Sequence, residues 1–267
     1  MLDVVATTDT VFDVRDVHFA YAGGVVALAG VSLTIRRGEQ VAILGANGSG
    51  KSTLLKLLDG LYFASSGSIR AFGLPLTNQT LQDESFRFAF RRRVGLVFQD
   101  SDVQLFSPSV WDEVAFAPLQ LGLSRAEVNE RVDAALRALR IEKLRDRAPH
   151  RLSGGEKKRV ALASILSLDP EVWLLDEPAA GLDPRSKVWL IEFLAAQARA
   201  GRTIVTATHD LDIVEAIAER VYLLDEEHHL VAGGAAGAIL ADRSLLVACN
   251  LAYWDGHMSV ALPQVSS

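Results

Sequence analysis

Gly45-Ala46-Asn47-Gly48-Ser49-Gly50-Lys51-Ser52 decides how this chain is read. The eight residues fit G-x-x-x-x-G-K-[ST] at every fixed position. Gln40 to Leu44, just before them, reads as a buried strand, and Ser52 to Asp59, just after, as a helix. The spacing has a physical reason. Glycines let successive backbone N–H groups turn inward and cradle phosphate oxygens. The helix that follows points its positive end at the same anion. Lys51 brings a full charge for the β- and γ-phosphates, and Ser52 a hydroxyl for Mg²⁺. A chance glycine-rich turn gives no reason for Lys51 and Ser52 to follow at this distance. Gly45, Ala46, Asn47, Gly48, Ser49, Gly50, Lys51, Ser52 and Thr53 are therefore the candidate phosphate-binding residues.

Outward from this loop, short β-branched runs alternate with amphipathic helical stretches, the pattern of an α/β fold. Val31 to Ile35, Val94 to Phe98, Val172 to Asp176, Thr203 to Thr208 and Val221 to Leu224 read as strands. The Val172 run ends in Asp176-Glu177. An aspartate at a strand's C-terminal edge can hold Mg²⁺, directly or through water. A neighbouring glutamate can orient and polarise an attacking water, a contribution of ~10²–10⁴ in rate. Alone, the two acids would read equally well as a solvated turn before Pro178; the upstream loop favours the chemical reading.

The 267 residues are long for one domain and short for two, against roughly 100–200 per domain. A chain of this size buries enough surface to need no disulfide or metal staple. It has a single cysteine, Cys249, so an internal disulfide is impossible and a reducing compartment is compatible. The net charge of −6 argues against broad phosphate-backbone binding, and nucleic acid is not an expected partner. A mean hydropathy of +0.20 suits buried strands. The longest apolar runs, such as Val25 to Leu33, reach about half of the ~20 residues that cross a bilayer. The start, Met1-Leu2-Asp3-Val4, has no basic region followed by an apolar core, so no signal peptide is expected. Work at a membrane would then mean docking on a chain that spans it.

The stretch from about 100 to 168 is mostly helical and reads as an insert in the α/β core. Ser124-Arg125-Ala126-Glu127 is a capping box opening a long helix. Asp183-Pro184 reads as an N-cap and first helical position. Leu152-Ser153-Gly154-Gly155-Glu156 has the capping-box spacing too, but capping does not explain its two glycines. Each weakens a first turn by ~1 kcal/mol, which makes sense if bare backbone must approach something closely. With these residues in view the chain resembles the ABC ATPase family over about residues 10 to 235. That resemblance implies a P-loop core with a mixed sheet and an inserted helical subdomain, followed by a short extension over 236–267. It implies ATP and Mg²⁺ as cofactors. It also implies a head-to-tail pair with a second such subunit, identical or homologous. In such a pair Ser153, Gly154 and Gly155 of one subunit cover the γ-phosphate held by the other. Further positions match in order: Tyr21 for stacking on adenine, Gln99 for sensing Mg²⁺, Asp183 for addressing the opposite site, and His209 for the γ-phosphate. Glu177, His209 and Gln99 would be catalytic, and Ser52, Gln99 and Asp176 would meet the metal ion.

Phe98 to Phe106, then Val110 to Pro118 and Leu121-Gly122-Leu123, resemble the energy-coupling-factor importers of cobalt, nickel and vitamins. Val110, Val114 and Ala117 also fit one face of a plain amphipathic helix. The resemblance implies a transmembrane coupling protein and a substrate-binding membrane protein as partners, at the cytoplasmic face of the cell membrane. It leans towards nickel or cobalt over a vitamin. The stretch 77–93 is longer and more charged than in many relatives, and the pattern gives no reason for Phe86, Phe88 and Phe90. The chain ends soon after the core, where many relatives carry a fuller dimerising region, and 254–267 read as a loosely held tail. His228-His229 reads as a surface turn, because strand neighbours point apart. A DNA-repair relative would need long coiled-coil arms, and a translation factor two cores. A P-loop kinase or GTPase would not need Ser153 to Gly155.

Overall fold

The computed structural model describes residues 9–253. In chain order its strands are β1 (Thr10–Ala20), β2 (Val26–Arg36), β3 (Gln40–Leu44), β4 (Ser66–Ala71), β5 (Leu74–Pro75), β6 (Val94–Val97), β7 (Val172–Asp176), β8 (Thr203–Thr208), β9 (Arg220–Leu224) and β10 (Leu230–Ala235). The helices are α1 (Lys51–Leu58), α2 (Asn78–Gln82), α3 (Glu84–Arg93), α4 (Ser101–Gln104), α5 (Val110–Gln120), α6 (Arg125–Ala138), α7 (Gly154–Leu168), α8 (Pro184–Arg199), α9 (Leu211–Ile217), α10 (Ala236–Ala241) and α11 (Arg243–Ala248).

Every residue of β3, β6, β7 and β8 is buried, which is why these strands read as apolar runs without alternation. They lie in one sheet of order β10-β9-β3-β8-β7-β6. All neighbours in it are parallel except β9 and β10, so the sheet is mixed. The register brings strand ends together: Leu44 lies beside Thr208, Asp176 beside Ala207, and Val97 beside Leu175. Ligands of open α/β sheets gather at such C-terminal ends. A second, antiparallel sheet of order β2-β1-β4-β5 packs with α1 against one face of the first. The other face carries the helical insert: Val97, Trp173 and Leu175 of the sheet pack in one cluster with Val114, Val132 and Val160.

In the insert, Ser109 caps α5, and complete capping boxes open α6 and α7 at Ser124 and Ser153. Val110 and Val114 are buried as the helical spacing predicts. Ala117, on the same face, instead lines a groove between the insert and the core.

Two stretches are more regular than the sequence suggests. Residues 77–93 hold α2 and α3, opened by a Thr77–Thr80 capping box and an Asp83 cap. Phe90 enters the core, Phe86 stacks on it at 6.1 Å, and Phe88 faces out, which accounts for all three. Past Gly234, α10 and α11 bury Ala236, Ile239, Leu246 and Cys249 against Leu44 and Leu223. Each is only six residues, too short for a helical period to show. His228-His229 does form a turn, closed on Asp225. The tail 254–267 lies outside the described residues.

Helix α3 also fastens the phosphate-loop helix. Arg91 donates to the Asp59 carboxylate (2.9 Å) and carbonyl (3.1 Å) at the C-terminal end of α1. Burial pushes the Asp59 carboxyl up to about 6, with Arg91 opposing. Between about pH 4 and 6 the folded chain therefore holds a proton that the unfolded chain has released. Asp59's contribution to stability falls as pH rises through that window. Asp59→Asn should gain on the native chain by about 2 kcal/mol between pH 4.5 and 7.5 in urea unfolding. Parallel stability curves would exclude a raised Asp59 carboxyl.

Candidate nucleotide site

The loop between β3 and α1 is shaped by its glycines. Gly50 has φ +102°, and a Cβ there would sit 2.2 Å from the Ala27 carbonyl oxygen. A Cβ on Gly45 would meet Ser49 Oγ at 2.5 Å and the Leu224 carbonyl at 2.8 Å. The backbone N–H groups of Gly48, Gly50, Lys51, Ser52 and Thr53 enter no hydrogen bond among the described residues. Ser49 Oγ is buried without a partner. This concentration of unused donors at a helix start fits an anionic ligand. Lys51 is buried, and its Nζ donates to the carbonyls of Gly45 (2.8 Å) and Ala46 (2.9 Å). Burial lowers the lysine's pKa, against Glu177 and Asp176, which favour the charged form.

Ser52 Oγ donates to Asp176 Oδ1 at 2.8 Å, joining the start of α1 to the end of β7. Burial raises the Asp176 pKa; the Ser52 hydrogen bond opposes it, and Glu177's charge adds to the rise. Gln99 and Tyr62 face the same cleft. Among the described residues no three His, Cys, Asp or Glu side chains form a metal cage. A hydroxyl, one carboxylate and a glutamine suit Mg²⁺, a cation that usually brings waters and substrate phosphates as its other ligands.

Glu177 is 4% exposed and has φ +44°, a backbone region costly for a side-chain-bearing residue, by ~1–3 kcal/mol. The conformation is held by its N–H on the Ala207 carbonyl (2.9 Å). Its carboxylate meets His209 Nδ1 at 2.7 Å, accepts from Thr208 Oγ1 at 3.0 Å, and lies 3.8 Å from Lys51 Nζ. Sequence reasoning missed Thr208; its one signal is a hydroxyl residue at a strand end directly before His209.

Tyr21 bonds through its hydroxyl to Thr53 Oγ1 at 2.8 Å. Its ring stands edge-on to Phe19 (5.1 Å) and Tyr62 (5.8 Å), which stack on each other. The partly exposed ring forms an aromatic platform beside the loop, suited to a planar base.

Thus Tyr21, the loop, Gln99, Asp176, Glu177 and His209 converge, and two expected stations do not join them. Ser153's hydrogen bonds stay within its own turn, with Glu156 and Lys157. A Cβ on Gly154 or Gly155 would meet nothing within 4 Å. Exposed Asp183 accepts from Ser186 N (3.0 Å) and Ser186 Oγ (2.8 Å) as the cap of α8. No hydrogen bond or ion pair links Ser153 or Asp183 to residues 45–53 among the described residues. Buried Lys158, also missed from sequence, ties α7 inward: its Nζ donates to the Gln99 carbonyl at 2.9 Å.

The family model described as ABC transporter matches residues 28–180, more than half of the chain. The chain belongs to the ABC transporter ATP-binding family. ABC ATP-binding chains bind ATP and hydrolyse it to power transport. This one is 52% identical over 238 residues to "Nickel import ATP-binding protein NikO" of Rhodobacter capsulatus, covering 88% of this chain and 93% of the relative. It resembles the solved structure of cbiO1 from Clostridium perfringens, described as part of the ABC transporter complex cbiONQ. The TM-score is 0.77 and the identity 38%, over 91% of this chain and 96% of the other. It also resembles the dimeric structure of the bacterial ABC cassette MJ0796, with TM-score 0.76 and 27% identity, over 84% and 98% of the two chains.

For an ABC ATPase the loop geometry has a direct consequence. Gly50→Ala must displace the loop, the added Cβ having no room against the Ala27 carbonyl. ATP affinity should fall at least ~100-fold, about 3 kcal/mol, while far-UV circular dichroism stays native. A titration with a fluorescent ATP analogue that shows native affinity would refute this.

Proposed function

We propose that this chain is the motor of an energy-coupling-factor importer of nickel or cobalt ions, working as a head-to-tail pair of ATPase subunits. The observation that carries the reading is the split of the site. Lys51, Ser52, Asp176, Glu177 and His209 meet at adjoining strand ends, while Ser153 to Gly155 and Asp183 stand outward on two helix starts. A second copy turned head to tail supplies what each site lacks. Gly154 and Gly155, lacking side chains, let the start of α7 approach the partner's γ-phosphate closely.

In this reading Gly45 to Thr53 cradle the phosphates and Tyr21 takes the adenine. Ser52, Asp176 and Gln99 would hold Mg²⁺, which would supply charge neutralisation at the phosphates. Glu177 orients and polarises the attacking water, and His209 faces the γ-phosphate. ATP closes the pair and hydrolysis reopens it.

No helix among the described residues is long and apolar enough to cross a membrane. The groove at the junction of core and insert is the proposed seat of a helix from a transmembrane coupling protein. Leu61, Phe98, Phe116, Ala117 and Leu121 line it, with Asp59 and Arg91 at one side. A substrate-binding membrane protein completes the importer at the cytoplasmic face of the membrane. The metal cargo is supported by the likeness to the nickel-import relative, at 52% identity, and by the Gln99 to Gly122 sequence. The cargo site is assigned to the membrane partners, and similar ligand preferences leave nickel and cobalt both open as cargo.

Glu177→Gln should keep ATP binding, lower hydrolysis ~10²–10⁴-fold, and elute as a dimer with ATP and Mg²⁺. A monomer under those conditions would sink the two-subunit site. Ser153→Arg places a long cation where backbone must approach phosphate. Turnover should be lost while ATP affinity of the single subunit stays within a few-fold of native; unchanged turnover would remove this segment from the mechanism.

A further inference from the structure

Glu177 is oriented from the neighbouring strand by a hydroxyl whose proton has one destination. Thr208 is 1% exposed, and its Oγ1 accepts the Asp210 backbone N–H at 3.1 Å. A hydroxyl has one proton to give. With a lone pair taken by Asp210 N–H, the proton points to Glu177 Oε2 at 3.0 Å. The hydrogen bond fixes the plane of the carboxylate.

The anchor of that hydroxyl extends further. Asp210 caps α9 through Ile213 N (3.3 Å) and pairs with Lys187 Nζ. Lys187 lies in the first turn of α8, its N–H on the Asp183 carbonyl at 2.9 Å. A continuous path therefore runs from the exposed cap Asp183, through Lys187, Asp210 and Thr208, to the buried Glu177. An isolated, half-exposed Lys–Asp pair contributes little stability. Its value here is geometric, since it joins the start of α8 to the strand end that carries the hydroxyl.

We propose that Thr208 is the positioning residue for Glu177, and that the Lys187–Asp210 pair ties it to the start of α8. Movement of Asp183 by a second subunit is then transmitted to the carboxylate. This rests on the roles given above to Glu177 and Asp183.

Thr208→Val keeps the shape and branching and removes the proton; Thr208→Ser keeps the hydroxyl and removes a methyl group. In steady-state ATPase assays of the full chain, Thr208→Val should lower kcat ~10–100-fold with KM for ATP within ~3-fold. Thr208→Ser should restore most of kcat. A packing role would give the reverse order, because serine removes the methyl that valine keeps. Lys187→Met should lower kcat by itself and have little further effect in a Thr208→Val background, since both act on one path. Thermal melts monitor folding of each variant. Three outcomes would overturn the proposal: native kcat in Thr208→Val, serine no better than valine, or Lys187→Met and Thr208→Val effects that multiply. Glu177→Gln separates the two levels. If it hydrolyses ATP at the native rate, the assignment of Glu177 fails. If it is inactive while Thr208→Val is native, only the path fails.

Discussion

Lys51, Asp176 and Glu177 are buried charges gathered at the ends of neighbouring strands, and the fold is arranged so that they remain tolerable. An isolated charge in such a place is strongly disfavoured. Each here has specific partners: two loop carbonyls and Glu177 for Lys51, Ser52 for Asp176, and Thr208, His209 and Lys51 for Glu177. These partners come from three segments far apart in sequence. Only the strand order β3-β8-β7, in parallel and in register, delivers them to one place. Strand β8 lies between the other two, which brings Thr208 and His209 at its end against the Glu177 carboxylate. Stability and chemistry share the same constraint, since groups that hold buried charge without water are also poised to meet phosphate and metal.

Around this cluster the chain divides its labour. The antiparallel sheet and α3 hold α1 from one side, through the aromatic platform of Tyr21 and through Arg91 on Asp59. The helical insert holds the loop after β6 from the other, with Lys158 of α7 bonded to the Gln99 carbonyl. The start of α7 is thereby linked to the Gln99 end of the chain's own cleft while its glycines face outward. That arrangement suits the proposed site, whose closure would be felt by both halves of an assembly.

The site was largely legible in the sequence because its chemistry depends on residue type at fixed spacing. Gly45 to Ser52 must bend and donate, and a buried strand that ends in Asp176-Glu177 downstream of such a loop brings its acids beside Ser52 and Lys51. Ser124 and Ser153 announced their helices through capping boxes that the structure contains. What was not legible depends on tertiary contacts. Thr208 is an ordinary strand residue until Glu177 is placed beside it. Lys158 reads as a solvated helix lysine until α7 turns it inward. Phe86 and Phe90 acquire a reason only when α3 packs beside α1, and α10 and α11 are too short to show a period. Gly154 and Gly155 were conspicuous for the opposite reason: no contact within the described chain requires them, and the proposed second subunit does.

Whether the site is completed by a second copy can be measured without relying on turnover. One batch of chain would carry Asn47→Cys in the phosphate loop and another Ser153→Cys at the start of α7, both exposed positions. The native Cys249 is buried. The two would be mixed under mild oxidation, with and without ATP and Mg²⁺, and run on non-reducing gels. A site shared between subunits predicts a covalent heterodimer that forms with nucleotide and is scarce without it. Only monomers, or the same cross-linking with and without nucleotide, would contradict it.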